Sequence, residues 1–518
     1  MRAHLALFAV LGGLLLPSLA RSAEESYTLP DYIRQAPTLP AELAGADPRN
    51  LLLEEAVMQS VEGNLGVRLE RDRRAIRRAS LISSHSAFEP RLFVSYDHFD
   101  GRAPPSSSVD GAADELFMSG SDGVTIGLSQ ALPHTATQFG VSFSSRRTSS
   151  SLGTAVEPLV IRDALTLTLR QPLLKGFGFD VRVPRANVLR AKWSSEASTQ
   201  ELRVRLAGAI QTTEDRYWDL VLALKGHEVQ SGSLLLAEQQ LELTRRQIES
   251  GVLPPSDLIQ AESTLAQREL SIVRATASIN AARDQLWRVL GAASDEAGRA
   301  VLPLDAPTFD ERPVDFDAAL ALAQERRPEL LRMETELRQA TLGVAVATNE
   351  LLPELSVDLG LGVVGQDSTN AEAARKLGTF EARTFSAGVE FSWAPAMRGG
   401  VGGIQQARAS RRIANTSMEQ ARVDVELEVR AAHRELITAS RQVHAAARFR
   451  DAAERSLAIE ERRFMDGISS NFLIGQRQSE LAQSQLAELS ALIAHRKART
   501  AWEVATGQLL VTRGIVLD

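Results

Sequence analysis

The residue types that most often carry catalysis occur in this sequence without the spacing that catalysis needs. The eight histidines show no metal-ligand spacing, so each is more simply interpreted as a surface or core residue. Cysteine is absent, which excludes disulfides, thiolate metal sites, a cysteine nucleophile and a lipid-modified N-terminal cysteine. We therefore expect no enzyme, no cofactor and no metal site.

Two glycine-rich segments superficially match phosphate-binding loops. Residues 176–178 form a Gly-Phe-Gly segment, which lacks the third glycine of a dinucleotide-binding loop. Residues 399–403 contain four glycines, but no Lys-Ser or Lys-Thr follows them as in a P-loop. We interpret both segments as bends where a strand passes into a helix.

Composition excludes further classes of protein. The chain has 518 residues, and its hydrophobic fraction of 44 % is ordinary for a folded protein and excludes global disorder. Its 58 Lys and Arg against 65 Asp and Glu give a net charge of −7, so we expect no nucleic-acid partner. Aromatic residues amount to only 5 %, which argues against a large aromatic-filled core.

The N-terminus has the pattern of a secretory signal peptide. Arg2 precedes an apolar run over 5–16, and a short segment with small residues ends at Ala20, the expected cleavage site. No later stretch approaches the ~18 consecutive apolar residues of a membrane-spanning helix. We therefore predict a signal peptide at 1–20 and an extended N-terminal segment at 21–49. The exported protein could then enter a membrane only as β-strands.

The chain contains a tandem duplication. Gly251 and Gly467 lie 216 positions apart, as do Gly291 and Gly507, and the sequence around them aligns at this offset without gaps. Chance matches between helical sequences would not keep both glycines in register. The predicted units are a first repeat at 50–291, a linker at 292–316, a second repeat at 317–507 and a short C-terminal tail at 508–518.

Each repeat has the predicted order helix, strands, long helix, turn, helix. Apolar residues three and four apart, in sequence rich in Ala, Leu, Glu, Arg and Gln, predict coiled-coil packing. The long helices would reach ~100 Å at ~1.5 Å per residue. Gly251 and Gly467 would stop them, and Ser256 or Ser470 would cap the next helix, so that each repeat ends in a hairpin. The predicted helices are 50–86, 184–250 and 255–290 in the first repeat, and 317–350, 401–466 and 471–507 in the second.

Four predicted strands alternate apolar and polar residues, as Leu165, Leu167 and Leu169 alternate with Thr166 and Thr168. Such strands fit a soluble sandwich with the apolar face inside, or an outer-membrane barrel with that face toward lipid. The secretory signal, the few available strands and the aromatic residues near strand ends favour the barrel. The strands are 91–98, 164–171, 355–363 and 384–393, and the aromatic residues are Tyr96, Phe99, Phe177, Phe179, Phe380 and Trp393.

Four strands cannot close around an open lumen, because the smallest filled membrane barrels already have eight. Several copies of the chain must therefore share one barrel. The strand region of the first repeat is longer than that of the second and includes a hairpin-like pair at 124–130 and 139–145. We interpret residues 123–146 as an extension at the extracellular end. An added pair of barrel strands is the alternative.

The chain resembles the TolC-like outer membrane efflux proteins over residues 50–508. The resemblance rests on the order of the elements and on motifs at the strand-to-helix exit, on the long helix and at the hairpin tips. It implies a mainly α-helical homotrimer with an α-helical barrel in the periplasm and a shared twelve-stranded β-barrel in the outer membrane. It also implies a passive export duct that works with a periplasmic adaptor and an inner-membrane pump, in tripartite efflux or type I secretion. The motifs are 170–176 (Arg-Gln-Pro-Leu-Leu-Lys-Gly), 217–220 (Tyr-Trp-Asp-Leu), 257–261 and 474–476.

The same resemblance implies a gate at the periplasmic tips of the hairpins. Some family members place acidic residues one and two turns after the second tip glycine. The matching positions here are Leu473 and Gln476, whereas Asp257 is retained in the first hairpin. With Phe464, these residues predict a gate that is more hydrophobic than cationic. The alternatives are interhelical packing for Leu473 and a first-turn helix role for Asp257. The turns expected to contact the adaptor contain Gly251, Val252, Leu253, Gly467, Ile468 and Ser469.

A second functional class fits the same pattern of helices and strands. The chain could be a periplasmic coiled-coil scaffold or adaptor whose strands form a soluble β-domain. Such a protein would be extracted without detergent. This interpretation does not explain why Phe391 and Trp393 lie in so apolar a strand. We therefore expect an outer-membrane channel of a Gram-negative-type cell, with helices that extend into the periplasm.

Overall fold

A computed structural model of the protein describes residues 27–40, 43, 48–104, 116–150, 158–291 and 299–515. The predicted signal peptide lies outside the described residues. The helices are α1 (Asp31–Arg34), α2 (Leu53–Gly63), α3 (Leu65–Ser84), α4 (Ala186–Glu249), α5 (Ser256–Leu290), α6 (Phe316–Arg326), α7 (Pro328–Asn349), α8 (Asn370–Thr379), α9 (Arg398–Met465), α10 (Asn471–Ala505) and α11 (Leu509–Thr512). The strands are β1 (Arg49–Leu51), β2 (Arg91–Ala103), β3 (Phe117–Ala131), β4 (Gln138–Ser150), β5 (Leu159–Pro172), β6 (Val301–Pro303), β7 (Glu354–Asp367) and β8 (Arg383–Ser392).

Two long helical hairpins form most of the structure. The 64 residues of α4 and the 68 residues of α9 reach roughly 96 and 102 Å at about 1.5 Å per residue. Each long helix is followed by a partner of 35 residues, α5 or α10, and α10 also packs on α4. These helices confirm the predicted hairpins to within a few residues. Among the described residues, no helix combines the length and the apolar character needed to cross a bilayer.

The structure corrects the single helices predicted at 50–86 and 317–350, because each is divided into two. Between α2 and α3, the side-chain oxygen of Asn64 accepts hydrogen bonds from the backbone N–H groups two and three residues later. Such an N-cap starts a new helix after a break. Between α6 and α7 the break precedes Pro328, which has no N–H to continue a helix and therefore begins α7.

A two-stranded parallel sheet, β1 with β6, joins the start of the first repeat to the linker. It is anchored by Tyr217, which is buried in the middle of α4. The Tyr217 hydroxyl donates to the carboxylate of Asp305 at 2.6 Å, and its oxygen lies 3.1 Å from the carbonyl oxygen of Leu51. Trp218 and Trp287 belong to the same core cluster. The sequence did not predict this sheet, because strands of three residues carry no periodic pattern.

The described part of the N-terminal segment packs across both hairpins. The hydroxyls of Tyr27 and Tyr32 donate to the carboxylate of Glu488 on α10 at 2.8 and 2.7 Å. Lys225 on α4 donates to the Tyr32 carbonyl oxygen at 2.9 Å, and Arg450 on α9 lies 3.6 Å from Glu488. Burial and the neighbouring carboxylate raise the pKa of both tyrosines, which therefore remain donors. The segment thus ties α4 to α9 and α10.

The larger sheet has six antiparallel strands in the order β2-β3-β4-β5-β7-β8. The four predicted strands are confirmed; three of them are longer than expected, and β8 has the predicted length of ten residues. β3 pairs along β2 and β4 pairs along β5, so the hairpin lies inside the sheet. This corrects the interpretation of residues 123–146 as an extracellular extension, because their apolar residues continue the apolar face of the neighbouring strands. The count of four strands per chain is corrected to six, so the expected total of twelve no longer follows.

Candidate functional site

One face of the six-stranded sheet carries a band of apolar side chains that runs from edge to edge. The cross-strand register aligns one large apolar side chain from each strand in a single row. All six of these side chains are exposed in the chain. Water-soluble monomers rarely expose a continuous apolar surface of this kind. The row consists of Leu92, Leu128, Val141, Leu167, Leu361 and Phe385.

The opposite face of the same sheet carries mostly small and polar side chains, with Phe93 of β2 among them. Ion pairs cross it, from Arg146 to Asp97 at 2.7 Å and from Arg170 to Glu390 at 2.8 Å. A sheet that is apolar on one face and polar on the other suits a boundary between lipid and an aqueous lumen. One row on this face consists of Arg91, Ser129, Gly140, Thr168, Gly360 and Ser386.

Within the described residues, nothing pairs with the outer edges of β2 and β8. Their apolar side chains are among the most exposed of the sheet, with Val94 at 65 % and Val389 at 71 %. An exposed apolar edge strand is a ready template for pairing with another chain. Because the strands alternate in direction and their number is even, β8 of one copy would meet β2 of another in antiparallel orientation.

At the opposite end of the long helices, both hairpins turn at a glycine with the same geometry. Gly251 has a φ of +77° and Gly467 a φ of +75°, which confirms the predicted glycine stops. The backbone N–H groups of Val252 and Ile468 each donate to a carbonyl oxygen five residues earlier, at 2.8 and 3.0 Å. This pattern is a Schellman turn, which satisfies carbonyl groups at the end of a helix.

The helices after the two tips begin differently. The Ser470 side chain caps α10 by accepting from the backbone N–H of Leu473 at 3.5 Å, as the sequence predicts. Ser256 makes no such cap, because the residue that precedes α5 is Pro255 and Ser256 is already helical. The second hairpin therefore has a side-chain cap at this position, and the first has a proline.

The four predicted gate residues lie close to the two tip glycines. Asp257 is in the first turn of α5, and Leu473 is in the first turn of α10, and both are partly buried in the single chain. Gln476, nearly a turn after Leu473, is exposed, whereas Phe464, just before the second tip, is buried. Of the predicted adaptor-contacting residues, Leu253 and Ser469 are partly buried and the others are exposed: Gly251, Val252, Gly467 and Ile468.

Sequence reasoning missed the polar contact that joins the two hairpins next to their tips. Asn471, buried at the start of α10, accepts at its side-chain oxygen from Gln240 at 2.6 Å and from Thr244 at 3.1 Å, both on α4. Beside it, the Ser469 hydroxyl donates to the buried carboxylate of Glu460. A polar residue at a core-facing helical position is a usable signal, but its partner on another repeat is not visible in the local sequence.

Ionisable side chains are also buried near the middle of α4. The carboxylate of Glu214 accepts from Arg513 and from the hydroxyl of Thr500, each at 2.6 Å. Burial raises the pKa of the adjacent Asp215 to about 6, although the Lys497 ammonium opposes the shift. These contacts fasten the C-terminal tail and α10 to the first hairpin.

A two-faced sheet with open edges, continued by helices of about 100 Å, defines a class of membrane protein whose barrel is built from several chains. A family model described as "Outer membrane efflux protein" matches residues 124–292 and 319–508. The chain therefore belongs to the outer membrane efflux protein family, and the resemblance to TolC-like proteins is confirmed. Family membership indicates the outer membrane as its location.

Two curated relatives match parts of the chain. The cobalt-zinc-cadmium resistance protein CzcC of Cupriavidus metallidurans is 28 % identical over 146 residues, which are 28 % of this chain and 34 % of that protein. The alkaline protease secretion protein AprF of Pseudomonas aeruginosa is 26 % identical over 268 residues, 51 % of each protein. The matched segments thus span from one third to about half of the relatives' lengths.

Solved structures of outer-membrane channels share the fold of nearly the whole chain. The outer-membrane channel OprN is 19 % identical with a TM-score of 0.65, and the match covers 93 % of this chain and 98 % of OprN. The Campylobacter jejuni CmeC outer membrane channel is 15 % identical with a TM-score of 0.66, and the match covers 88 % and 86 % of the two chains. The predicted mainly α-helical fold, with its duplicated order of helices and strands, is therefore confirmed, whereas the predicted number of strands is not.

Proposed function

We propose that the protein is a passive outer-membrane channel subunit, three copies of which form an export duct across the periplasm. The sheet carries this proposal, because one chain presents an apolar face, an opposite polar face and two open edges. Three copies that pair β8 with β2 would close a barrel around an aqueous lumen. The long helices that follow β5 and β8 would continue this lumen as an α-helical tunnel in the periplasm.

The duct would receive its cargo from a periplasmic adaptor and an inner-membrane pump. The two curated relatives are named for metal resistance and for protease secretion, so efflux and secretion both remain candidate roles. We place the adaptor contact at the two tip turns, 251–253 and 467–469. In support, Val252 and Ile468 are 68 % and 64 % exposed at these turns, and apolar exposed residues are suited to protein contact.

We place the gate at the same end of the duct, where three copies of each tip would converge. Three Leu473 side chains would add an apolar ring that resists wetting, and Phe464 would pack behind the second tip. Three Asp257 carboxylates would repel one another unless cations or basic groups compensate, and Gln476 would add only neutral polar groups. An adaptor that binds the open form better would shift the equilibrium toward opening.

Mass and planar-bilayer conductance of the detergent-purified mature protein test this function together. We expect a trimer in detergent and discrete conductance steps after insertion. A water-soluble monomer that never inserts would contradict the proposal. That outcome would instead favour the periplasmic scaffold, with the sheet folded as a soluble domain.

A further inference from the structure

We infer that the hairpin β3–β4 is part of the membrane wall, so that three chains build an eighteen-stranded barrel wide enough for polypeptide cargo. This inference rests on the proposed trimer and adds the number of strands and the size of cargo. The described residues of one chain contribute six strands, so a trimer would contain eighteen.

The side chains of the inserted strands β3 and β4 alternate in step with those of β2 and β5, so the two strands continue both faces of the sheet. Along the apolar row, Leu128 of β3 lies opposite Leu92 of β2, and Val141 of β4 lies opposite Leu167 of β5. A slip of one residue would turn every inserted apolar side chain to the polar face. Because their side chains alternate in register with those of β2 and β5, the inserted strands are suited to the same surroundings as those strands.

Glycines of β3 make room for side chains that reach across it on the polar face. Asp97 of β2 pairs with Arg146 of β4 at 2.7 Å, although β3 lies between them. A Cβ atom at Gly123 would lie 2.7 Å from an Asp97 oxygen, and one at Gly127 would lie 2.3 Å from the ring of Phe93. The glycines of β3 thus lie where the side chains of β2 need space.

The turn between the inserted strands is held at the level where the strands pass into helices. Gln171, at the end of β5, donates to the carbonyl oxygen of Thr135 at 3.0 Å and accepts from the Thr137 hydroxyl. At the other side of the hairpin, Gln130 donates to the carbonyl oxygen of Phe88 at 3.0 Å, just before β2. The turn therefore lies at the periplasmic rim, and short turns at this rim are typical of outer-membrane barrels.

The added strands widen the lumen substantially. With strands about 4.8 Å apart and tilted by about 40°, twelve strands enclose a backbone cylinder about 24 Å across, and eighteen enclose about 36 Å. A side-chain layer of about 5 Å on each wall leaves about 14 Å and 26 Å. The wider lumen would pass a pair of packed helices, each about 10 Å in diameter.

Disulfide pairing in the membrane-inserted trimer tests the position of the hairpin, and the absence of native cysteine removes any background. The first test variant joins β2 to β3 through Leu92→Cys with Leu128→Cys. The second joins β4 to β5 through Val141→Cys with Leu167→Cys. We expect both disulfides in nonreduced peptide mass spectra, because directly opposed residues are within disulfide range. Ile126→Cys with Phe143→Cys is the matched control, since it joins the two hairpin strands wherever the hairpin lies.

The outcomes separate this inference from the proposed function. A detergent trimer that forms only the control disulfide would overturn the eighteen-stranded barrel and leave the channel intact. A water-soluble monomer would overturn the channel, and with it the barrel, whichever disulfides form. A trimer that forms all three disulfides supports the inference.

The width of the lumen has its own readout in the same trimer. Ser142→Cys places a thiol on the polar face of β4, where maleimide-linked polyethylene glycols added from the extracellular side can reach it only through the lumen. We expect labelling by polymers up to about 26 Å across, with a limiting cross-section more than twofold that of a twelve-stranded barrel. A cut-off near 14 Å would contradict the wider lumen. Ser386→Cys on β8 is the matched control on a strand of the second repeat.

Discussion

The two repeats share one helical framework but contribute unequally to the sheet. The first supplies β2, β3, β4 and β5, whereas the second supplies only β7 and β8, with α8 between them. The long helices below are nevertheless of similar length, 64 and 68 residues. A hairpin adds two strands and leaves the direction of the next strand unchanged, so it can enter a sheet without disturbing the helices. After a duplication, the strands of the two repeats can therefore become different while their long helices stay alike.

The repeats also differ where their helices are anchored and where they turn. Tyr217 in the first repeat donates a hydrogen bond to Asp305, whereas His433, 216 positions later, lies between the rings of Phe316 and Trp502. At the tips, Asp257 after the first turn corresponds to Leu473 after the second turn. Equivalent positions in the two repeats thus serve as natural controls for each other.

The largest expected effect comes from placing a charge on the apolar face of the sheet. Leu167→Arg on β5 and Ile126→Arg on β3 would each put a cation against lipid, at a cost of about 2–4 kcal/mol near the bilayer midplane. Both variants should lose most of the trimer recovered from membranes. Thr168→Arg and Thr125→Arg, on the polar face, should assemble normally. If Ile126→Arg assembled as well as Thr125→Arg, the inserted strands would differ from those of the repeat.

The anchors of the two repeats should differ in strength. Tyr217→Phe removes the buried hydroxyl that donates to the Asp305 carboxylate, which should cost about 1–3 kcal/mol. His433→Phe keeps an aromatic ring against Trp502 and should cost less than 1 kcal/mol. Thermal unfolding followed by circular dichroism of the helices measures both. Equal losses of stability in the two variants would show that the Tyr217 hydroxyl adds no stability to the first repeat beyond that of its aromatic ring.

Asp215 should make the first hairpin sensitive to pH. Its pKa of about 6 lies above the ordinary value near 3.9, so ionisation of this carboxyl opposes folding at neutral pH. The Asp215→Asn variant should therefore be more stable at pH 7.5, by up to about 2 kcal/mol. The gain should fall as the pH decreases through 6 and disappear near pH 4, where aspartic acid is protonated. A gain that is constant over this range would exclude ionisation as its cause.

The smallest effects on stability, but informative ones, are expected at the tips. Leu473→Ser should raise the resting conductance of single channels, because a polar ring wets more easily than an apolar one. Asp257→Asn should leave the closed state unchanged and reduce any preference for cations. Planar-bilayer recordings in asymmetric salt measure both quantities. Unchanged conductance and resting closure in Leu473→Ser would indicate that this leucine only packs between helices.

The helical part of the fold was largely predictable from sequence, and the reason is that its signals are local. Apolar spacing defines the long helices, and glycines at the turns define their ends, as at Gly251 and Gly467. The alternation in β3 and β4 was equally visible in the sequence. Their partners were not, because strand pairing joins residues that are distant in the chain and two-residue periodicity is the same for every strand.

The candidate site was predictable to a similar extent. The tip turns follow from the paired glycines, but the contacts that hold the hairpins together do not. Asn471 bonds to α4, and Glu488 receives two tyrosines from the N-terminal segment, and both contacts join residues more than two hundred positions apart. The sequence shows a polar residue on a helix, whereas its burial depends on which helix packs against it.

Electron cryomicroscopy of the detergent-purified trimer, viewed along its axis, would count the strands in the barrel wall. We expect a threefold-symmetric barrel with eighteen strands, in which β3 and β4 lie between β2 and β5 of each chain. Twelve strands, with residues 123–146 outside the wall, would contradict the strand count. A particle without threefold symmetry, or a sheet folded within a single chain, would contradict the shared barrel itself.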